Sequence, residues 1–231
     1  MGLHLVSVTL AVLPPNRLSA QAHDETAYLD PYFTQNWRLF APSPIAEDRA
    51  LLFQGAYAGD DGAIVETEWV DWTSVELDLV RHRPVGGRAG YVTTKLVPPL
   101  RARAAALSEA QRVVAVAGSS STPRTLAALG DALRAAGAAP LVVQGFLRYE
   151  QATTRLASDV LAAQRPAGEL VAVRYAVRRR PVVPFAARGG SAAERAAARP
   201  PAVEEIGGWR VPSPGEAAER AAVRAFDRAH G

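Results

Sequence analysis

Hydrophobic and polar positions alternate in two parts of the chain, which flank a long helical middle. In the first part, residues 49–57 place Leu51, Phe53 and Tyr57 on one face of an extended segment. Residues 64–72 alternate in the same way, and the sequence GDDG between the two runs is a strong turn signal. The pattern predicts an antiparallel hairpin, in which the two aspartates of the turn shape the turn rather than bind a metal.

The second alternating part covers residues 169–185 and predicts a strong strand. Its end carries three consecutive arginines, Arg178 to Arg180. We assign them to a solvated outer face of the sheet, opposite Glu66 and Glu68. A patch for anionic lipid or phosphate is the alternative. The residues predicted to share the inner face are Val171, Val173, Tyr175 and Val177.

Between the two alternating parts, residues 101–165 have the composition and spacing of helices. Thr122 as the N-cap and Pro123 as the first helical residue predict the start of one helix, which ends near Gly137. A longer helix is predicted over residues 141–164. Its apolar stripe, which we assign to the core, consists of Tyr149, Thr153, Leu156 and Val160.

The C-terminal part begins with residues 186–203, whose richness in glycine, alanine and arginine predicts a flexible loop. A short strand is expected over residues 206–211. The sequence SPGE at residues 213–216 predicts a capping box with proline at the first helical position, and the final helix extends to about His230.

These elements predict an α+β fold, with a small antiparallel sheet of three or four strands packed by helices from the middle and the C-terminus. We expect one such domain over residues 16–231. A short hydrophobic segment at residues 1–15 precedes it.

Composition narrows the classes of function. The 231 residues are 48% hydrophobic, which is enough for one sizeable core. The net charge of +3 is spread along the chain and Lys95 is the only lysine, so the basic pI reflects GC-rich coding rather than phosphate contacts. We therefore expect no nucleic-acid partner. The absence of cysteine excludes disulfides, thiolate metal sites and cysteine nucleophiles.

The hydrophobic segment has two interpretations. Residues 3–13 are mostly apolar and end at Pro14-Pro15. Eleven residues of helix reach about 16 Å, whereas a bilayer core is about 30 Å thick. The run is thus either a buried element of a soluble domain or the distal half of a membrane helix that starts upstream. We favour a single N-terminal anchor in the cell membrane, with the soluble domain extracytoplasmic.

The sequence DPYFTQNWRLFAPSP at residues 30–44, the aromatic–amide stretch, follows this segment. Phe33, Trp37 and Phe40 have the spacing of one helical face. They predict a short helix wedged onto the sheet, or alternatively an aromatic collar or partner-docking motif, because such side chains suit interfaces that are dry on one side and wet on the other. The candidate interface residues are Tyr32, Phe33, Gln35, Asn36, Trp37, Arg38, Phe40, Pro42 and Pro44.

The run QNWRLFAPSP resembles the signature of a family of uncharacterised actinobacterial membrane-anchored proteins, a domain of unknown function with a QxWxLFAPxP motif. Trp69-Val70-Asp71-Trp72 matches a later segment of that pattern. The motif is also remotely similar to the A component of sporulation-delaying-type toxin maturation systems, which act beside a multi-spanning membrane protein. The resemblance implies a membrane-anchored accessory protein.

No motif of catalysis, cofactor binding or metal binding occurs in the sequence. The four histidines lie far apart, and the one acidic–histidine cluster, His23-Asp24-Glu25 with Asp30, is expected to be solvated. We therefore predict no cofactor, no metal and a non-enzymatic role. The expected partners are an integral membrane protein, on which the protein docks, and the membrane surface. The alternative is a maturation factor or hydrolase that acts on a secreted peptide and uses His23, Asp24 and Asp30.

Overall fold

The computed structural model describes residues 47–59, 61–82, 92–164 and 169–230. Contacts divide the chain into Met1–Ile45 and Ala46–Gly231, and all described residues belong to the second unit. The predicted hydrophobic segment and the aromatic–amide stretch lie outside the described residues. The predicted boundary between residues 15 and 16 therefore stays a prediction.

The described strands form one antiparallel sheet, which confirms the predicted α+β fold. Their order is β2–β1–β4–β5, and β3 also pairs with β1, so the sheet has five strands where three or four were predicted. The strands are β1 (Glu47–Ala58), β2 (Ile64–Glu66), β3 (Val70–Asp71), β4 (Glu169–Pro181) and β5 (Val203–Ile206).

The predicted hairpin is present at β1 and β2, where Ala58 pairs with Ile64. In its turn, Gly62 has a φ of +77° and an Asp61 carboxylate oxygen accepts a hydrogen bond from the Ala63 amide at 3.0 Å. The predicted return strand over residues 64–72 is interrupted at residues 67–69 and resumes as β3, which pairs with β1 again. It is wrong at Trp72, which already begins a helix.

The start of this helix at Trp72 has a local cause in Asp71. The Asp71 carboxylate accepts a hydrogen bond from the Ser74 amide at 3.1 Å, and the Asp71 carbonyl accepts one from the Ser74 hydroxyl. An aspartate that bonds the third amide of a helix is a strong N-cap, so Asp71 ends the strand and starts the helix.

A β-bulge in β4 changes the predicted faces of that strand. Ala56 pairs with Ala172 and Tyr57 with Leu170, so Val171 is the extra residue of the ladder. The predicted placement of Val171 beside Val173 is therefore wrong, because one extra residue reverses the alternation. Leu170 packs with the main core instead, and Val171 packs on the opposite face of the sheet.

The predicted helical middle is confirmed, but it begins before residue 101 and is interrupted at residues 117–125. The predicted start at Thr122 and Pro123 is wrong, because the Thr125 hydroxyl accepts from the Ala128 amide at 3.1 Å and caps that helix instead. The helices are α1 (Trp72–His82), α2 (Thr93–Ala105), α3 (Glu109–Val116), α4 (Leu126–Ala135), α5 (Pro140–Gln164), α6 (Ala192–Ala198) and α7 (Ala217–His230).

The region predicted as a flexible loop, residues 186–203, contains α6. Ser191 and Glu194 form a reciprocal capping box at its start, a local helix signal that composition does not reveal. Beyond α6, Arg199 donates to the Pro181 carbonyl at 2.9 Å and pairs with Asp48. These bonds tie the connection to the ends of β1 and β4.

The C-terminal elements begin at other residues than predicted. β5 lies at Val203–Ile206 rather than at residues 206–211. The predicted N-cap at Ser213 is also wrong, since α7 begins at Ala217 and the Glu216 amide donates to the Glu219 carboxylate at 3.0 Å. The predicted end of α7 near His230 is confirmed.

The main core lies where one face of the sheet packs against α1, α2, α5 and α7. In α5 the fully buried stripe includes Phe146, Glu150, Thr153, Ala157 and Val160, whereas Tyr149 and Leu156 are only partly buried. A second cluster joins α3, α4 and the first half of α5. It consists of Leu107, Ala115, Leu129, Leu133, Ala138, Val143 and Phe146.

Candidate functional site

A cleft of about 410 Å³ opens between the β5 side of the sheet and helices α2 and α3. Pockets of this size that are mostly apolar and carry a few polar groups are the usual form of a ligand site. The apolar members of the lining include Leu100, Ala104, Leu107, Val116, Phe146 and Ile206.

The floor of the cleft is a buried polar network of Tyr175, Glu150 and Arg210. The Tyr175 hydroxyl donates to Glu150 Oε2 at 2.6 Å, and Arg210 Nε donates to Glu150 Oε1 at 2.8 Å. The side chains of Arg210 and Glu150 are 1% and 0% exposed. Both carboxylate oxygens are therefore bonded within the protein, as a buried charge requires.

Arg210 also bonds two backbone carbonyls. Its Nη2 donates to the Ala115 carbonyl at 2.6 Å, and its Nη1 donates to the Trp209 carbonyl at 3.1 Å. The Ala115 carbonyl belongs to the last turn of α3, where carbonyls lack partners in the helix itself. Arg210 thus joins α3 and α5 to the segment that follows β5.

Two glycines let this segment approach the network. A Cβ atom on Gly207 would lie 2.8 Å from the Tyr175 ring. A Cβ atom on Gly208 would lie 2.5 Å from Arg210 Nη1 and 2.9 Å from the Ala115 carbonyl oxygen. Real side chains do not tolerate such distances, so the sequence GGWR at residues 207–210 is dictated by packing around Arg210.

The electrostatics of the floor favour a fixed network. Burial raises the pKa of the Tyr175 hydroxyl well above its ordinary value, and the negative charge of Glu150 raises it further. Tyr175 therefore stays protonated and keeps donating to Glu150 near neutral pH. The network therefore forms a rigid floor for a binding cleft.

The rim of the cleft is charged. Arg101 donates to both carboxylate oxygens of Glu205, at 2.8 and 3.0 Å, and both residues line the cleft. Outside the lining, Arg179 donates to Glu47 at 3.0 Å. The hydrogen bond from Arg101 lowers the pKa of Glu205. Arg112, which also lines the cleft, is exposed, and its guanidinium has no hydrogen bond or ion pair with any described residue.

On the opposite face of the sheet, Arg174 lies between two tryptophans. Its guanidinium carbon is 4.4 Å from the ring centre of Trp209 and 5.2 Å from that of Trp69. Its Nε donates to Gln54 Oε1 at 2.7 Å. The side chains of Trp209 and Arg210, which are adjacent in sequence, therefore lie on opposite faces of the sheet.

Two further buried carboxylates have structural roles. Glu76 accepts from the amides of Val92 and Thr93 at 2.9 and 3.0 Å, and so caps the start of α2 from another helix. Asp159 accepts from the Gly215 amide at 2.9 Å. Burial raises the pKa of both carboxyls, which are held in place by backbone amides.

The nine candidate interface residues of the aromatic–amide stretch, and the acidic–histidine cluster at residues 23–30, all lie outside the described residues. Two arginines of the run at the end of β4 are paired with acids: Arg178 donates to Glu204 at 2.7 Å, and Arg179 donates to Glu47 at 3.0 Å. The predicted partner Glu66 faces Arg174 instead, at 3.6 Å, because the register places Arg178 beside β5.

Two kinds of feature are absent from the described residues. No group of three or more histidine or acidic side chains there could hold a metal ion. Within those same ranges, no helix has the length and apolar character needed to cross a membrane.

Sequence reasoning missed the Tyr175–Glu150–Arg210 network. Glu150 occupies the inward-facing position of α5 between Phe146 and Thr153, so a charged residue inside an apolar stripe was the available signal. Its partner Arg210 lies 60 residues away, and no local pattern connects the two.

The comparisons with known proteins place the chain in one family. The match covers residues 16–211, which include the aromatic–amide stretch and all three residues of the buried network. Neither a curated protein nor a solved structure matches the chain. The actinobacterial origin and the similarity to toxin maturation components stay predictions. The chain belongs to the family of unknown function DUF5819.

Proposed function

We propose that this protein is a membrane-associated accessory protein that docks on an integral membrane partner, with its α+β domain supplying a binding surface. The observation that carries the proposal is the cleft of about 410 Å³, whose walls are mostly apolar and whose polar floor is bonded internally. Such a cleft offers apolar area to a partner, and burial of apolar area drives association.

The proposal assigns the membrane-proximal contacts to the aromatic–amide stretch. Tyr32, Phe33, Trp37 and Phe40 supply apolar anchoring, because tyrosine and tryptophan suit interfaces with one dry and one wet side. Gln35, Asn36 and Arg38 supply directional hydrogen bonds. The hydrophobic segment at residues 1–15 holds this stretch at the cell membrane, with the α+β domain on the extracytoplasmic side.

Membrane fractionation of the full-length product, expressed from its own locus with the upstream sequence intact, tests the association. We expect recovery in the membrane fraction that resists a high-salt wash. Quantitative recovery in the soluble fraction would refute the proposal.

Photo-crosslinking tests the docking. A photoreactive residue at position 37 should yield an adduct with an integral membrane protein. The same residue at the exposed Ala196 of α6 is the matched control and should yield none. Equal labelling from both positions would mean that the aromatic–amide stretch does not contact the partner.

A further inference from the structure

We propose that the free edge of β5 and the adjoining cleft bind an extended peptide segment. This segment places a large apolar side chain in the cleft and a carboxylate beside Arg112. The inference rests on the proposed docking role and names the kind of element that the α+β domain recognises.

The first observation is the edge itself. Among the strands that the structure describes, β5 is the last in the order of the sheet and pairs with β4 on one side. The Gly207 amide donates to the Tyr175 carbonyl at 2.8 Å, which fixes the hydrogen-bonding alternation along β5. The backbone N–H and C=O groups of Glu204 and Ile206 therefore point away from β4.

This edge is accessible. Val203 and Ile206 are 50% and 44% exposed, and all four residues of β5 are exposed. An exposed edge presents a row of backbone donors and acceptors that pairs readily with another extended chain. Strand addition is a common way in which a sheet recognises a peptide.

The second observation is the position of the cleft. Three successive residues of β5 and its continuation, Glu205 to Gly207, belong to the lining of the cleft. Side chains of an added strand alternate between the two faces of the sheet, so every second one would face the side on which the cleft lies. On the far wall, Val116 of α3 is 51% exposed and extends the apolar surface.

The third observation is charge. Of the two arginines at the rim, Arg101 is bonded to Glu205 at both carboxylate oxygens. Arg112 has no partner among the residues the structure describes and is exposed at the same cleft. An unpaired guanidinium favours a carboxylate, which an acidic side chain or a peptide C-terminus can provide.

The probe for the test is a phage-displayed library of random C-terminal peptides of about six residues, the usual length of a strand. The library is panned on the purified full-length chain. A selected peptide is then synthesised with a free C-terminus and as the C-terminal amide, and its binding is measured by fluorescence polarisation.

Three pairs of variants separate the contributions of the strand edge, the cleft and the rim charge to peptide binding. Ile206→Pro removes an outward-facing N–H that Ile206→Ala keeps. Ala105→Trp fills the cleft, whereas Ala102→Trp adds the same side chain at an exposed position of α2 outside the lining. Arg112→Gln removes the rim charge, and Arg224→Gln removes an exposed charge on α7. Circular dichroism confirms that each variant is folded.

We expect Ile206→Pro, Ala105→Trp and Arg112→Gln each to weaken peptide binding by about tenfold. The three causes are the loss of a backbone hydrogen bond, a filled cleft and the loss of a charge-assisted hydrogen bond. Ala102→Trp and Arg224→Gln should change peptide binding by less than about threefold, which is under one kcal/mol. Ile206→Ala also loses a side chain that lines the cleft, so it is the reference from which Ile206→Pro should differ by about tenfold. If the carboxylate is the C-terminus, the amide form should bind about tenfold more weakly to the parent chain and be insensitive to Arg112→Gln. If it is an acidic side chain, both forms should lose affinity in Arg112→Gln.

Three results would overturn the inference. The first is that panning on the parent chain enriches no peptide beyond panning on Ala105→Trp, and the second is that each variant binds the peptide as well as its control. The third is that lauric acid displaces the peptide while Ile206→Pro has no effect on peptide binding. The last result would assign the cleft to an amphiphile. Peptide binding is measured without a membrane, so its failure leaves the fractionation and crosslinking results of the proposed function unaffected.

Discussion

Arg210 Nη2 lies 2.7 Å from Glu150 Oε1, and both side chains are almost completely excluded from solvent. The pair joins the middle of α5 to the segment after β5, and Tyr175 of β4 bonds the same carboxylate. Removal of one partner from such a pair leaves a buried, uncompensated charge.

We expect Arg210→Met to lower the free energy of unfolding by about 3–5 kcal/mol, because Glu150 would remain buried without its cation. Urea unfolding followed by circular dichroism measures the change. The matched control is Arg134→Met, which breaks an exposed pair with Asp131 and should cost less than about 1 kcal/mol.

The double variant Glu150→Leu with Arg210→Met tests the coupling of this pair. It should be less destabilised than the sum of the two single variants, since it leaves neither charge unpaired. Additive losses would contradict the proposed interdependence.

Gly208→Ala should destabilise the protein by about 1–3 kcal/mol, the usual range for overpacking. The added Cβ would meet Arg210 Nη1 and the Ala115 carbonyl oxygen at distances that real side chains do not adopt. Thermal unfolding measures the effect. Gly189→Ala is the control, because no heavy atom beyond Gly189 and its two chain neighbours lies within 4 Å of the added Cβ. Equal melting temperatures of the two variants would contradict the tight packing described at the cleft floor.

Two acids, Glu205 at the rim of the cleft and Glu47 outside its lining, predict a pH dependence of stability. Hydrogen bonds from Arg49 and Arg101 lower the pKa values of Glu47 and Glu205, respectively, below the ordinary value of 4.5. A lowered pKa in the folded state means that the unfolded chain binds more protons in this range. The stabilisation is therefore present above about pH 4.5 and is lost as the pH falls through the folded-state pKa values.

The double variant Glu47→Gln with Glu205→Gln should consequently lose less stability than the parent chain between about pH 5 and pH 3. The difference should stay below about 1 kcal/mol per residue, because both side chains are partly exposed. Urea midpoints measured across this range provide the test. Parallel pH profiles of the two proteins would contradict the assignment.

The position of Arg174 between Trp69 and Trp209 predicts an effect on stability. Arg174→Met keeps the aliphatic stem but removes the cation, and should lower the free energy of unfolding by about 1–2 kcal/mol. Tryptophan fluorescence should change with it, as both rings lose a neighbouring charge. Arg188→Met is the control, since Arg188 stacks on Phe185 at an exposed position and should contribute less than about 0.5 kcal/mol. Equal losses of stability in Arg174→Met and Arg188→Met would mean that burial does not strengthen the cation–π contact.

The sequence predicted the elements that depend on strong local signals. The hairpin turn, the long helix α5 and the end of the final helix follow from the turn residues, the apolar periodicity and the flanking prolines. The predicted start of α4 failed because several serines and threonines precede that helix, and Thr125 rather than Thr122 bonds its first turn. The predicted start of α7 failed because the amides of Ser213 and Gly215 are bonded to Ser158 and Asp159 of α5, contacts that no local pattern shows.

Long-range features could not be predicted in the same way. The bulge at Val171 reflects pairing with Ala56 and Tyr57, more than a hundred residues away, and nothing in the alternation of β4 alone marks it. The floor of the cleft depends on Glu150, Tyr175 and Arg210, which belong to three separate segments. The predicted interface of residues 32–44 lies outside the described residues, so it stays a prediction.

The ladder between β1 and β4 has a consequence for the order of folding. It is the longest pairing of the sheet and joins residues such as Gln54 and Arg174, which are 120 positions apart. Long-range pairing of this kind forms late and slowly, because a long loop must close before any contact stabilises it. During synthesis, β1 therefore emerges well before its main partner, and the helices α2 to α5 form in between. A ribosome-associated chaperone that shields β1 until β4 has been made would raise the yield of folded protein.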